Sequence, residues 1–140
     1  WAIVLMLERM DGKGLEIEDY AGLGQKKPAL ALAMAIFMLS LTGMPPTVGF
    51  IGKFYIFRAA IDAEMVWLAL VGVVTSLISA YYYLRVIVVM YMKSGEPQIH
   101  GEGWLKIALI LTAMATLLFG LLPGLLLDFA SQAQFLSFIP

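Results

Sequence analysis

Three long apolar runs, separated by short polar segments, constrain what this chain can fold into. They cover residues 28–60, 65–92 and 104–127, and most charged side chains lie outside them. Each run is longer than the roughly 20 residues that a membrane-spanning helix needs. Hydrophobic residues make up 61% of the chain, more than a soluble domain normally carries. The pattern predicts an all-α fold, a polytopic transmembrane helical bundle.

The first run of the chain is apolar but short. Residues 1–8 cannot cross a membrane, and they lack the charged leader of a signal peptide. We interpret them as the end of a truncated helix, and residues 1–140 as a single membrane-domain fragment of a longer protein. A polar loop follows, up to Lys27.

Composition limits the chemistry that this chain can carry. It has no cysteine, one histidine and a net charge of −1. Iron–sulfur ligation and disulfides are therefore excluded, and a metal cluster is not expected. No nucleic-acid partner is indicated by this charge. We expect no cofactor in this chain and name the lipid bilayer as its surroundings.

The positions of lysine and arginine predict the orientation. Cytoplasmic loops carry the excess of these residues. The first and third loops must share a side because two spans separate them, and their flanks hold Arg9, Lys13, Lys26, Lys27, Lys93 and Lys106. The other side has only Arg58. We therefore predict that the first and third loops are cytoplasmic.

The apolar run 28–60 is too long for one straight crossing. As a helix it would reach about 50 Å, against a hydrocarbon core of about 30 Å. Pro45 and Pro46 lie near its middle, where they free the carbonyls of Leu41 and Thr42 from helical bonding. The run is predicted to be one discontinuous transmembrane helix, unwound over residues 41–47.

Lys53 lies seven residues past the two prolines, inside the apolar run. Gly49 precedes it by one turn and is expected to leave space beside the amine for water or a polar side chain. Because burial disfavours the charged form of an amine, a lysine placed here could take up and release protons. The alternative is that Lys53 extends to the lipid headgroups, as Arg58 would. The residues alone leave both readings open.

Polar side chains on the run 65–92 follow a four-residue spacing, at Thr75, Ser79 and Tyr83. Such a stripe could hold water near a channel. Hydroxyls in membrane helices also bond to their own backbone or to a neighbouring helix, and the tyrosines could belong to an interfacial aromatic belt. Arg85 is interpreted as an anchor or as the partner of a carboxylate.

Two segments resemble a known family. SLTGMPPTVGFIGKFYIF (residues 40–57) and SAYYYLRV (residues 79–86) are similar to the C-terminal portion of subunit N of the proton-translocating NADH-quinone oxidoreductases, bacterial complex I. The resemblance covers essentially the whole chain, including the loop that ends in DYAGLG (residues 19–24).

The resemblance implies roles for individual residues. The lysine of the broken helix is a proton-channel residue in that family, and this role falls on Lys53. The other candidates for the helix break or the channel lining are Thr42, Gly43, Pro45, Pro46, Gly49, Ser79 and Tyr83. The family's remaining channel groups would precede Trp1.

The resemblance also implies partners and a location. Other membrane-arm subunits would adjoin this chain in the bacterial inner membrane, and NADH, FMN, iron–sulfur clusters and quinone would bind to partner subunits. The function expected is proton translocation coupled to their electron transfer. Two alternatives remain: a cation/proton antiporter subunit of the Mrp type, and a structural anchor of a membrane complex.

Overall fold

The computed structural model describes residues 2–7, 15–97, 103–124 and 128. Its elements are α1 (Ala2–Leu7), a 3₁₀ turn (Ile17–Tyr20), α2 (Leu23–Lys26), α3 (Pro28–Thr42), α4 (Val48–Asp62), α5 (Val66–Met92) and α6 (Gly103–Leu121). Every regular element in these ranges is a helix. The predicted all-α class is confirmed.

Two of the helices, α5 with 27 residues and α6 with 19, are long and apolar enough to cross a membrane by themselves. The predicted run 28–60 is divided into α3 and α4, which have 15 residues each. Neither half has the roughly 20 residues that a crossing needs. The division therefore agrees with one discontinuous helix.

The predicted ends of the runs differ slightly from the helices. α4 continues to Asp62, and α5 begins at Val66. α6 ends at Leu121, while residues 125–127 of the predicted span 104–127 lie outside the described residues, as do Trp1 and Glu8 of the predicted helix 1–8.

The core lies around α3, which packs against α2, α4, α5 and α6. Its small side chains Ala31 and Ala35 are buried, and small residues let membrane helices approach closely. The buried cluster consists of Ile3, Leu7, Tyr20, Leu23, Ala31, Met34, Ala35, Met90, Leu105 and Leu109. The centre of the bundle therefore holds the first half of the broken helix.

The loop before α3 packs on the end of α5. A Cβ added to Gly22 would collide with the backbone of Gly95, and the Glu18 carboxylate lies 3.5 Å from the Arg85 guanidinium. Burial, and then the charge of Asp19, raises the pKa of Tyr20 in this loop, so its hydroxyl stays neutral. The loops predicted to share a side are thus in contact, while the identity of that side stays a prediction.

Candidate functional site at the helix break

The break begins one residue after α3 ends. Gly43 has the left-handed φ of 86° that favours glycine, and its N–H donates to the carbonyls of Leu39 and Ser40. The helix thus reaches Thr42, whereas unwinding was predicted from Leu41. Pro45 and Pro46 have no N–H to donate to the carbonyls of Leu41 and Thr42. The backbone at these two residues nevertheless stays helical.

Lys53 satisfies the two carbonyls that the prolines leave free. Its Nζ donates to the carbonyl oxygens of Leu41 and Thr42, at 2.9 Å each. A Cβ on Gly43 would lie 2.8 Å from Cδ of this lysine, so the glycine makes room for the side chain. The C-terminal end of a helix carries partial negative charge that favours a cation. The amine is therefore bonded to backbone groups of α3, and its relation to lipid headgroups stays a prediction.

Ser40 caps the beginning of α4, as Lys53 caps the end of α3. The backbone N–H of Gly49, in the first turn of α4, donates to Oγ of Ser40 at 3.2 Å. Thr47, which directly precedes α4, directs its own hydroxyl to the Met44 carbonyl instead. Each half-helix therefore provides a side chain that caps the open end of the other, α3 through Ser40 and α4 through Lys53.

The expected space beside Gly49 is occupied by protein. A Cβ added to Gly49 would collide with the backbone carbonyl of Ser40. Because two backbones meet at this point, no room is left for water, and the expectation of a hydrated space at Gly49 is wrong. Gly49 allows the two half-helices to touch.

α6 covers the break from another direction. A Cβ on Gly120 would collide with the carbonyl of Pro46, and Thr47 is 4% exposed. An unwound segment in hydrocarbon persists only where protein or water surrounds its polar groups. Here α6 provides that protein surface at Pro46 and Thr47.

The amine side of the break borders a cavity of about 260 Å³ between the end of α3, α4 and α5. Its lining includes Thr42, Gly43, Lys53, Phe54, Phe57 and Ser76. The cavity is partly open and its wall is mostly apolar, and the lining side chains that carry a polar group are Thr42, Lys53 and Ser76. Thr42, Gly43 and Lys53 are thus brought together at one cavity.

The other predicted candidates lie elsewhere. The hydroxyl of Ser79 donates to the Thr75 carbonyl at 2.9 Å, and Thr75 bonds to carbonyls of its own helix. Ser79 and the half-buried Tyr83 do not line the cavity at Lys53. Their role in a channel stays a prediction.

Two serines of the site were not predicted from the sequence. Ser40 was interpreted only as part of a motif, and Ser76 was not considered. Ser76 shares one helical face with Val73 and Ala80, which also line the cavity. The spacing of these three residues would have identified Ser76 if the face of α5 that meets Lys53 had been known.

Comparison with known proteins places the chain in a family. A family model described as NADH:quinone oxidoreductase/Mrp antiporter, TM, matches residues 1–79. The NADH-quinone oxidoreductase subunit N of Trichlorobacter lovleyi is 47% identical over 139 residues, covering 95% of this chain and 28% of that protein. Subunit N of Myxococcus xanthus is 42% identical over 141 residues, covering 96% of this chain and 27% of that protein.

The fold is also found in a solved structure. A chain of respiratory complex I from Thermus thermophilus with bound Aureothin superposes with a TM-score of 0.74 and 38% identity, over 80% of this chain and 26% of that chain. This chain spans little more than a quarter of the length of the curated relatives it matches. The resemblance to subunit N is confirmed, and the chain belongs to the transmembrane NADH:quinone oxidoreductase/Mrp antiporter family.

Proposed function

We propose that this chain is part of a membrane-arm subunit, subunit N, of a bacterial NADH-quinone oxidoreductase, and that it translocates protons across the inner membrane. The observation that carries the proposal is the position of the Lys53 amine. It extends from α4 across the proline break to the carbonyls at the end of α3, and it borders a cavity. The similarity to subunit N over nearly the whole chain supports it.

The protonated amine is the form that the break binds best. Two carbonyl oxygens at the end of α3 accept its N–H groups, and the helix dipole adds attraction for positive charge. Phe54 and Phe57 contribute apolar side chains to the cavity wall beside the amine. In this proposal, a change in nearby charge or hydration makes Lys53 release or take up a proton.

Electron transfer belongs to other subunits in this proposal. The sequence has no cysteine, and no group of three or more possible metal ligands occurs among the described residues. NADH, FMN, iron–sulfur clusters and quinone would bind to partner subunits, and neighbouring membrane-arm subunits would transmit the change to Lys53. In this proposal the chain belongs to the proton-translocating part of the oxidoreductase, and the redox steps take place in the partner subunits.

The test is Lys53→Ala in the full-length protein, with NADH-driven proton uptake and NADH oxidation measured in inverted membrane vesicles. Positioned proton-transfer groups contribute about 100-fold or more to rates in enzymes. We expect pumping to fall at least about 10-fold, less than the full factor because other subunits of the complex can still carry protons. Arg58→Ala, five residues further along α4, removes an exposed cation as the control.

Two outcomes would favour the alternatives. Unchanged pumping by the assembled Lys53→Ala complex would reduce this chain to a structural anchor. The family model also names Mrp antiporters, so purification of the native protein without NADH dehydrogenase activity, together with cation-dependent proton exchange, would favour an antiporter subunit.

A further inference from the structure

Ser76 lies on the α5 wall of the cavity that Lys53 borders. The wall is formed by Val73, Ser76, Leu77 and Ala80, which share one helical face, and Ser76 has the one hydroxyl among them. The residue is half-buried. Among the described residues no fully buried side-chain polar atom lacks a hydrogen-bond partner, so a Ser76 hydroxyl without a protein partner must be open to the cavity.

The usual partner of a helical serine is occupied here. A serine in a membrane helix commonly donates to the carbonyl four residues earlier, which for Ser76 is that of Gly72. That carbonyl already accepts the hydroxyl of Thr75 at 3.0 Å and the helical N–H of Ser76, and it has two lone pairs. Within the part of the chain that the structure describes, the Ser76 side chain makes no hydrogen bond. The hydroxyl is left for the cavity.

The Lys53 ammonium has one N–H group that can donate a hydrogen bond into the same cavity. An ammonium group carries three N–H donors, and two of them bond to the carbonyls of Leu41 and Thr42. The third remains for the cavity. A water between this donor and the Ser76 hydroxyl would have two polar partners, the minimum for an ordered buried water.

We propose that Ser76 is a positioning residue that anchors water beside the Lys53 amine; the inference rests on the proton-translocating function proposed above. When the ammonium releases its proton, the N–H bond breaks and the proton binds to the water oxygen. That water then passes a proton to the next one in the cavity. Ser76 keeps its own proton, accepts a hydrogen bond from the water and so fixes the water's orientation.

The experiment compares Ser76→Ala and Ser76→Thr in the assembled complex, again as NADH-driven pumping in inverted vesicles. Loss of one hydrogen bond of ordinary strength corresponds to a factor of about 2 to 10. We expect Ser76→Ala to lower pumping by about that factor, and Ser76→Thr, which keeps the hydroxyl, to restore it. Thr116→Val is the matched control, since it removes a half-buried hydroxyl that bonds to its own helix at Thr112.

The outcomes separate this inference from the function on which it rests. If Lys53→Ala lowers pumping as expected while Ser76→Ala pumps normally, the proposed role of Ser76 is wrong and the translocating role stands. If neither affects pumping, the translocating role itself is wrong. Should Ser76→Ala fail to assemble, Ser76→Cys takes its place, because the thiol is close in size but its sulfur is a weak acceptor. Normal pumping by that variant would also overturn the inference.

Discussion

The two halves of the broken helix have the same length but differ in how many side chains they bury within the described part of this chain. Of the 15 residues of α3, five are buried: Ala31, Ala33, Met34, Ala35 and Ser40. None of the 15 residues of α4 is buried. α3 packs on α2, α4, α5 and α6, and α4 packs on α3, α5 and α6, but α3 alone of the two buries side chains there among the described residues. The contacts of α4 include Gly49 on Ser40, Lys53 on the end of α3, and Phe57 close to Gly72.

The difference shows how one crossing can combine a fixed frame with a titratable group. α3 presents its C-terminal carbonyls at a fixed place because its neighbours hold it. α4 brings the amine to those carbonyls by polar bonds, whose strength depends on protonation. Four tests address this contrast between a half with buried side chains and a half with exposed ones.

The largest effect is expected at the point where the halves touch. Gly49→Leu would push a side chain into the backbone carbonyl of Ser40, which cannot rotate away as a side chain could. We expect a loss of about 3 kcal/mol, the upper end of the cost of overpacking, seen as a lower yield of assembled complex and a lower unfolding midpoint. Gly52→Ala is the control, since a Cβ there meets nothing within 4 Å. Equal behaviour of the two variants would refute the close contact.

The same substitution placed in each half tests the packing contrast directly. Ala31 is fully buried in α3, whereas Ala59 is exposed on α4. Ala31→Leu should cost about 2 kcal/mol through overpacking, and Ala59→Leu should change stability by less than about 0.5 kcal/mol. Unfolding of the full-length protein in mixed detergent measures both. A large loss from Ala59→Leu would mean that other parts of the protein cover α4, and the contrast would then disappear.

A smaller effect is expected from the cap that α3 gives to α4. Ser40→Ala removes the acceptor of the Gly49 N–H, and loss of a helix N-cap costs about 1 kcal/mol. We expect the unfolding midpoint to fall, with a minor effect on pumping because Lys53 keeps its carbonyls. Thr112→Val is the comparison, since the Thr112 hydroxyl donates to the Ala108 carbonyl of its own helix. If both variants are equally stable, Ser40 does not cap α4.

The smallest effect is expected from the ion pair of α4. Arg58 lies 3.6 Å from Asp62, and the two side chains are 65% and 68% exposed. Arg58→Gln should cost about 0.3–0.5 kcal/mol, the usual strength of such a helical pair, and the difference should shrink in high salt. A loss above about 1 kcal/mol that does not change with salt would mean that the pair is shielded from solvent. That result would contradict the exposure of both side chains.

Much of this architecture follows from local sequence. The apolar runs placed the long helices, and the missing N–H groups of Pro45 and Pro46 indicated which carbonyls would be free. The position of Lys53 within an apolar run marked it as the group to examine. These inferences depend on residues close together in the chain, where covalent geometry and hydropathy decide the outcome.

The contacts across the break could not be read in the same way. Gly49 was expected to leave room for water, but the approach of the Ser40 backbone occupies that room. The polar stripe at Thr75 and Ser79 was noticed because of its spacing, yet Ser76 is the residue that borders the cavity of Lys53. Spacing defines the faces of a helix, but it does not say which face meets which neighbour.

The sequence by itself determined that the chain is helical, that it lies in a membrane and that one crossing is broken at two prolines, because hydrocarbon and proline act on local segments. Only the tertiary structure decided that Lys53 binds the carbonyls of Leu41 and Thr42 and that Gly43 leaves room for its side chain. Those contacts depend on how α3, α4 and α5 are arranged in space, and that arrangement results from packing between segments that are distant in the sequence.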